Sequence, residues 1–213
     1  TLSDTTLAAS VLNTLDDNTT GTIDASTVTT LTGSADDLIT AYDANGSGIT
    51  GLGNEAVSVN SDTATTAQAN TLAAATSGVV TATIADGDLA TLDGLTETGN
   101  AYSITITDAS VDAAALNTLD GKTTVAIDAS TITTLTGAAT DLNTAYDANG
   151  SSITGLGNEA ATLSDTTLAV SVLNALDDNT TGTINASTIT TLTGAAADLN
   201  TAYSSAGISN LGD

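Results

Sequence analysis

The chain has 213 residues, of which 25 are acidic and one, Lys122, is basic, and it contains no His, Cys, Pro, Met, Trp or Phe. Because acid–base catalysis near neutral pH usually draws on His, Cys, Lys or carboxylates in dry pockets, this inventory leads us to expect no enzyme. A net charge of −24 opposes nucleic acid as a partner, since nothing would neutralise its phosphates, and we expect no direct membrane insertion.

The composition favours a thin, layered core. Apolar residues make up 40% of the chain and the mean hydropathy is positive at +0.18, which argues against disorder. The four tyrosines are its only aromatic residues. A solenoid buries a narrow strip of aliphatic side chains in each coil, whereas a globular domain of this length normally fills its centre with large aromatics.

In chain order, the first recognisable element is a phrase that returns twice. TLSDTTLAASVLNTLDDNTTGTIDASTVTTLTG occupies residues 1–33, a diverged copy begins at Asp108, and TLSDTTLAVSVLNALDDNTTGTINASTITTLTG occupies residues 162–194. Such self-similarity at a fixed period is typical of solenoids, propellers and repeat arrays.

Within each copy the periodicity changes from helical to extended. SVLNTLD and DLNTAY place apolar residues at i and i+3, as in Leu12 with Leu15 and Leu142 with Ala145, which predicts a short amphipathic helix. GTIDASTVTTLTG, VVTATIAD and YSITITDAS alternate Thr with Ile or Val, which predicts strands with one buried face. Each coil therefore combines one helix with one or two short strands.

Aligned on the residue before a recurring Asn, the predicted helices share one anchor position per coil. The spacings between anchors are 26, 31, 20, 27, 26, 31 and 26 residues, which gives a two-coil super-repeat of about 57 residues and one shortened coil near Leu89. The eight anchors are Leu12, Leu38, Ala69, Leu89, Leu116, Leu142, Leu173 and Leu199.

Strands that recur in the same chain direction pair in parallel. The predicted fold class is therefore α/β: a solenoid of about eight stacked coils, similar to a β-helix or leucine-rich repeat, each with a short helix and one or two short parallel strands. We interpret residues 1–213 as one repeat-array segment of a longer array, because the chain starts and stops inside phrases that recur in its interior. Its expected partners are neighbouring repeats or copies of itself stacked end to end.

Equivalent polar residues should stand in columns from coil to coil. The position after the anchor is Asn in six of the eight coils, and an amide can satisfy a stacked amide or the backbone of the next coil; the alternative is a solvent-facing position. Asp4, Asp62, Asp108 and Asp165 precede helices, so we predict that they act as N-caps.

Two loops carry the first half of an EF-hand-like pattern, AYDANGSGITGLGNE at 41–55 and AYDANGSSITGLGNE at 145–159. Neither completes it, because Glu55 is one residue too late and Ser152 stands where Gly is expected. A turn insertion is the favoured interpretation. The alternative is a weak calcium site, whose metal-ligating candidates are Asp43, Asn45, Asp147 and Asn149.

The charge predicts a dependence on cations. Neighbouring carboxylates repel, and with one basic residue the screening must come from Ca²⁺ or another divalent cation, or from monovalent cations at high concentration. We therefore expect a protein adapted to seawater-like salt or to Ca²⁺.

A Thr-x-Thr array, as at Thr131/Thr133 and Thr188/Thr190, resembles the ice-binding face of some β-solenoid antifreeze proteins. Here the motif is interrupted at alternate coils, so the β-propensity of Thr explains it better.

LSDTTLAASVLNTLD, TGTIDASTITTLTG and ITGLGNEA resemble the repeats of very large secreted or cell-surface proteins of marine bacteria, in particular cyanobacterial and RTX-adhesin-like giants. The resemblance implies an extracellular or cell-surface location and a structural role as a stalk, coat or filament segment. It brings no catalytic residues, and the RTX nonapeptide GGxGxDxUx is absent, so calcium binding by that mechanism is not implied.

Two other functions remain open at this point. One is an adhesin segment that binds glycan, mineral or ice through its strand face. The other is a β-helix glycan-processing enzyme, which would need paired acids outside the repeat register, whereas nearly every Asp here lies in register.

Overall fold

The structure of the chain, a computed structural model, describes residues 1–212. These residues form two compact units. Unit 1 comprises residues 1–104 with 122–125, and unit 2 comprises residues 105–121 with 126–212. Both units are built from short helices alternating with short strands, so the α/β class is confirmed.

Unit 1 contains four helices and seven strands. The helices are α1 (Ala9–Asp17), α2 (Ala35–Asp43), α3 (Thr66–Ala75) and α4 (Leu89–Leu92). The strands are β1 (Thr6–Ala8), β2 (Ile23–Asp24), β3 (Thr30–Gly33), β4 (Ile49–Thr50), β5 (Ala56–Val59), β6 (Val80–Thr83) and β7 (Ala101–Ser103).

Unit 2 also contains four helices and has nine strands. The helices are α5 (Ala113–Asp120), α6 (Ala139–Ala148), α7 (Val170–Asn179) and α8 (Ala196–Ser204). The strands are β8 (Ser110–Asp112), β9 (Ile127–Asp128), β10 (Thr134–Gly137), β11 (Ile153–Thr154), β12 (Ala160–Leu163), β13 (Thr167–Ala169), β14 (Ile184–Asn185), β15 (Thr191–Thr193) and β16 (Ile208–Ser209).

Every pairing between these strands is parallel, as predicted. Unit 1 has a five-stranded sheet in the order β1-β3-β5-β6-β7 beside the pair β2-β4. Unit 2 has a five-stranded sheet in the order β16-β14-β12-β10-β8 beside the pairs β11-β9 and β13-β15. Each rung of a five-stranded sheet thus comes from a different helix-strand unit.

The register places apolar residues of successive rungs side by side. In unit 2, Leu135 pairs with Val111 on one side and with Ala161 on the other, and Ala161 pairs in turn with Ile184. All four are buried. This column is the narrow aliphatic strip that the composition predicted.

The predicted anchors are confirmed. Among residues 1–212 there are eight helices and each holds one anchor; seven anchors are buried and Leu199 is half-buried. The contracted spacing of 20 residues ends at α4, which has only four residues. Leu15, predicted on the apolar face of α1, is 39% exposed, whereas its counterpart Leu176 in α7 is fully buried.

The recurring Asn stabilises the contact between successive helices. Asn13 donates from Nδ2 to the carbonyl oxygen of Asp37 (2.9 Å), and Asn117 does the same to Asp141 (2.9 Å). The bond ends on the residue just before the next anchor, and Asn143 and Asn174 repeat the pattern at 3.1 Å. The Asn column of the sequence is therefore a ladder from side chain to backbone.

Threonine hydroxyls form a second ladder between neighbouring strands. Thr29 donates to the carbonyl of Thr5 (3.0 Å), Thr133 to that of Ala109 (3.0 Å), and Thr190 to that of Thr166 (3.1 Å). Each bond joins residues 24 positions apart, in neighbouring helix-strand repeats. These bonds give the Thr-x-Thr segments a structural use in addition to their β-propensity.

The prediction that four aspartates cap the helices that follow them is wrong. A three-residue strand separates Asp4, Asp108 and Asp165 from the next helix, and Thr65 takes the cap of α3 with Gln68 in a capping box. The carboxylates of Asp62 and Asp165 instead accept the first backbone N–H of the preceding helix. These bonds run from Ala35 to Asp62 (3.1 Å) and from Ala139 to Asp165 (2.7 Å).

Replacing Asn117 by Ala removes one rung of the amide ladder and leaves the Asp141 carbonyl without that donor. We expect the free energy of unfolding to fall by about 1 kcal/mol relative to Asn200→Ala, measured by urea denaturation in dilute solution. Asn200 has the same helical position but is exposed. Since both variants gain the same helix propensity, equal stabilities would contradict the ladder.

Candidate functional site

The strongest polar feature of each unit is a buried glutamate. Glu55 in unit 1 and Glu159 in unit 2 are each 1% exposed, and no other carboxylate among residues 1–212 is buried to this degree. Each follows a GLGN segment and precedes a strand of the five-stranded sheet. Burying a carboxylate is costly unless hydrogen bonds compensate it, so the donors around these two residues define the site.

In unit 1 the Glu55 carboxylate folds back onto its own loop. Its Oε2 atom accepts the backbone N–H groups of Gly53 (2.9 Å) and Asn54 (3.2 Å). The Tyr42 hydroxyl, at the end of α2, donates to Oε1. The loop reaches this shape through positive φ angles at Gly51 (88°) and Gly53 (126°), where a side chain would introduce strain.

Unit 2 repeats this arrangement with one difference. Glu159 Oε2 accepts from the backbone N–H groups of Gly157 (2.7 Å) and Asn158 (3.1 Å). The Tyr146 hydroxyl and Glu159 Oε1 are both buried but make no hydrogen bond. The backbone donors are thus common to both units, whereas the phenol–carboxylate bond is specific to unit 1.

A threonine that follows the next helix contacts the backbone of each glutamate. The Thr76 hydroxyl donates to the main-chain carbonyl of Glu55 (2.7 Å) and accepts from the N–H of Gly78 (3.0 Å). Thr180 does the same with Glu159 (3.2 Å) and Gly182 (3.0 Å). Each of these glycines lies directly against the glutamate backbone.

Burial and nearby negative charge raise the pKa of three tyrosines, Tyr42, Tyr102 and Tyr146. For Tyr42 the pKa rises chiefly because burial disfavours the phenolate, and the bond to Glu55 and its negative charge add to this. For Tyr146 burial raises the pKa to about 12, with a contribution from the charge of Glu159. Burial also raises the pKa of Tyr102 to about 12.

These glutamates hold the loops in which they lie. Each is 1% exposed and accepts backbone N–H groups of its own loop, and Glu55 also accepts the Tyr42 hydroxyl. Each glutamate therefore fixes the shape of the loop that precedes β5 or β12.

The four candidate calcium ligands behave in two ways. Asn45 and Asn149 bind their own loops: each donates from Nδ2 to a backbone carbonyl, of Leu52 (3.1 Å) and Leu156 (2.8 Å), and accepts the N–H of the same residue. Asp43 and Asp147 are exposed. Among residues 1–212, no three acidic side chains gather into a group that could hold a metal ion.

Asp147 lines a shallow groove in unit 2 between α6 and α7, with a volume of about 510 Å³. Asp178 and Asn179 line it from α7, and Asn179 donates from Nδ2 to Oδ1 of Asn143 in α6 (3.0 Å). The carboxylates of Asp147 and Asp178 thus line one groove, whereas the other three candidate calcium ligands, Asp43, Asn45 and Asn149, do not line it. The calcium site stays a prediction.

The structure explains why the second loop has Ser152 where the first has Gly48. A Cβ atom on Gly48 would lie 2.0 Å from Oδ1 of Asp16, which is in α1. In unit 2 the Ser152 hydroxyl donates to Oδ2 of Asp120, the counterpart of Asp16 (2.8 Å). The exchange of Gly for Ser is thus an adjustment between coils.

The burial of Glu55 was not predicted from the sequence, where this residue stands one place too late for a calcium ligand. A signal was present, because GLGNE follows a Tyr at the same spacing in both 41–55 and 145–159. The third copy has Tyr203 but neither the GLGNE segment nor a buried tyrosine, since Tyr203 is 55% exposed.

Comparisons with protein-family models, with curated proteins and with solved structures give no match to this chain. None of the helices among residues 1–212 combines the length and apolarity needed to cross a bilayer.

Gly182→Ala should destabilise unit 2 by about 2–3 kcal/mol, because the new Cβ would lie 1.9 Å from the Glu159 carbonyl oxygen. Gly21 is the matched control: it occupies the same place in the phrase at 1–33, and its Cβ would meet only Thr19 Oγ1, at 3.5 Å. Urea denaturation of both variants measures the difference. Equal losses of stability in the two variants would mean that the Glu159 backbone does not restrict the residue at position 182.

Alkaline pH should destabilise the protein. The pKa of Tyr102 and of Tyr146 is about 12 in the folded chain against 10.0 for a free phenol. Below pH 10 both states keep the protons, and between pH 10 and 12 the unfolded state releases protons that the folded state retains. The free energy of unfolding therefore falls as pH rises through this window.

Ultraviolet absorbance of tyrosinate, recorded with circular dichroism, tests this expectation. In the Tyr203→Phe variant, which removes the one exposed tyrosine, tyrosinate should appear together with the loss of structure. Full ionisation near pH 10 in a chain that is still folded would contradict it.

Proposed function

We propose that this chain is a structural repeat protein, in which the helix-strand units stack as coils of a solenoid of about eight coils and serve as a stalk, coat or filament segment on a bacterial surface. The observation that carries the proposal is the direction of the recurring polar side chains. Asn, Thr and Asp at repeated positions bond to the backbone of a neighbouring coil.

The surface chemistry supports a spacer in salt water. With 25 acidic residues and one lysine, whose Nζ donates to the Thr96 carbonyl (3.2 Å), most carboxylates depend on dissolved cations for screening. We propose that high-concentration monovalent ions or divalent cations, Ca²⁺ among them, supply it. An extracellular position on a marine cell would provide both.

The alternative function, an adhesin segment that recognises glycan, mineral or ice through its strand face, has less support. A flat ice-binding array needs threonine hydroxyls directed to the ligand, whereas Thr29, Thr133 and Thr190 donate theirs to backbone carbonyls. Thr81 and Thr83 on β6 are exposed, but their partners on β7 are Ala101 and Ser103, so the Thr-x-Thr motif does not continue onto the next strand.

Antibody labelling of the producing bacterium tests the proposed location. An antibody raised against residues 1–213 should label intact cells, and mild protease treatment of intact cells should remove the label. A periplasmic or cytoplasmic protein serves as the control and should be labelled only after permeabilisation. Labelling of this chain that likewise requires permeabilisation would overturn the surface role.

A further inference from the structure

The turn after α2 and the turn after α6 each contain an asparagine followed by a glycine, in the shared segment DANGS. Asn45 with Gly46 and Asn149 with Gly150 are the two such pairs of the sequence. The turn requires the glycine, because φ is 97° at Gly46 and 84° at Gly150. The same glycine leaves the backbone nitrogen after the asparagine without a shielding side chain, which makes a thermolabile residue more reactive.

The reaction open to such a pair consumes only water. The Gly46 backbone nitrogen loses its proton to solvent and attacks Cγ of Asn45, in an intramolecular step favoured by proximity. The N–Cγ bond forms, the Cγ–Nδ2 bond breaks, and Nδ2 takes up a proton and leaves as ammonia. Water then opens the resulting succinimide ring. Cleavage of its N–Cγ bond gives aspartate, and cleavage at the main-chain carbonyl carbon gives isoaspartate, in which the chain continues through the side chain.

In the closed loop both reacting groups are engaged in hydrogen bonds. The Gly46 N–H donates to the carbonyl of Ile49 (2.7 Å), and the Gly150 N–H donates to that of Ile153 (2.7 Å). Each asparagine side chain is held by two bonds, which we call the amide clasp, to the N–H and the carbonyl of the leucine in its GLGN segment. The nitrogen can therefore attack only after the loop opens.

The two loops differ in how firmly they are closed. The asparagine and the glycine of each pair are exposed, so their bonds compete with water and open at a low local free energy. The bonds of the amide clasp measure 3.1 and 3.4 Å at Asn45 but 2.8 and 3.2 Å at Asn149. Ser152 adds a bond to Asp120 (2.8 Å), whereas unit 1 has Gly48 in its place. The loop of unit 1 is therefore the easier one to open.

We propose that Asn45 and Asn149 are sites of spontaneous conversion to aspartate and isoaspartate in the folded protein, and that loop opening sets the rate, so that Asn45 converts before Asn149. The change is one-way, because a carboxylate cannot donate to the leucine carbonyl and its new charge lies two residues from Asp43 or Asp147. Each conversion therefore leaves its loop without the donor half of the amide clasp. The inference is independent of the structural role and the location proposed above.

The unfolded chain is a matched control, because both asparagines lie in the same local sequence. The full chain is incubated at mildly alkaline pH, below the range in which its tyrosines ionise, with and without denaturing urea. A glutamate-specific protease then separates Asn45, in residues 1–55, from Asn149, in residues 98–159. Mass spectrometry with fragmentation locates each exchange of an amide for a carboxylate and gives its rate.

In urea the two sites should convert at equal rates. In the folded chain both should convert more slowly than in urea, and Asn45 should be about fivefold faster than Asn149, the factor expected for one hydrogen bond. Ser152→Ala removes the bond to Asp120 and leaves the DANGS segment intact. In this variant, whose folding circular dichroism verifies, Asn149 should convert about fivefold faster than in the parent chain, while Asn45 keeps its rate.

Several results would overturn the proposal. One is a folded chain that stays unmodified at both sites after the chain in urea is fully converted. Others are conversion of Asn149 ahead of Asn45, and equal rates in the folded and the unfolded chain. A Ser152→Ala variant that folds and converts Asn149 at the parent rate would break the link to loop opening and overturn it as well.

Discussion

A short helix-strand repeat cannot satisfy its own polar groups, and this constraint governs the rest of the structure. Each repeat contributes one short helix and short strands, so its exposed carbonyls and N–H groups bond to the neighbouring repeat. Backbone pairing satisfies the strands, Thr29 and its counterparts bond to carbonyls 24 residues earlier, and Asn117 reaches the helix 24 residues later. Since these bonds require matched lengths, the repeat period is fixed by hydrogen bonding as much as by apolar packing.

The buried glutamates show how a glycine-rich loop is held in place. The GLGNE segment must turn without leaving unsatisfied backbone, and it achieves this by directing the carboxylate of Glu55 or Glu159 at its own N–H groups. Thr76 and Thr180 then join the loop to the next coil. A buried carboxylate is compatible with stability here because backbone N–H groups of the same loop donate to it in both units, and the Tyr42 hydroxyl adds a further donor in unit 1.

Much of the fold was predictable from the sequence, because it depends on periodicity. The eight anchors, the parallel pairing, the shortened coil at α4 and the Asn column all follow from residue spacing. The burial of Glu55 and the partners of Asp62 and Asp165 do not, because they depend on contacts between coils at distances that spacing alone leaves open. The capping prediction assumed local partners, and Asp165 illustrates the error: β13 carries its own helix out of reach, whereas Ala139 of the preceding helix lies 2.7 Å away.

The capping of one helix by a later coil has a consequence for the order of folding. The first N–H of α2 donates to Asp62, 27 residues further along the chain, and that of α6 donates to Asp165, 26 residues further on. During synthesis from the N-terminus, each of these helices therefore lacks its capping carboxylate until the following repeat has been made. Growth by addition to an incomplete edge, one coil completing the last, is the natural assembly route for such a molecule.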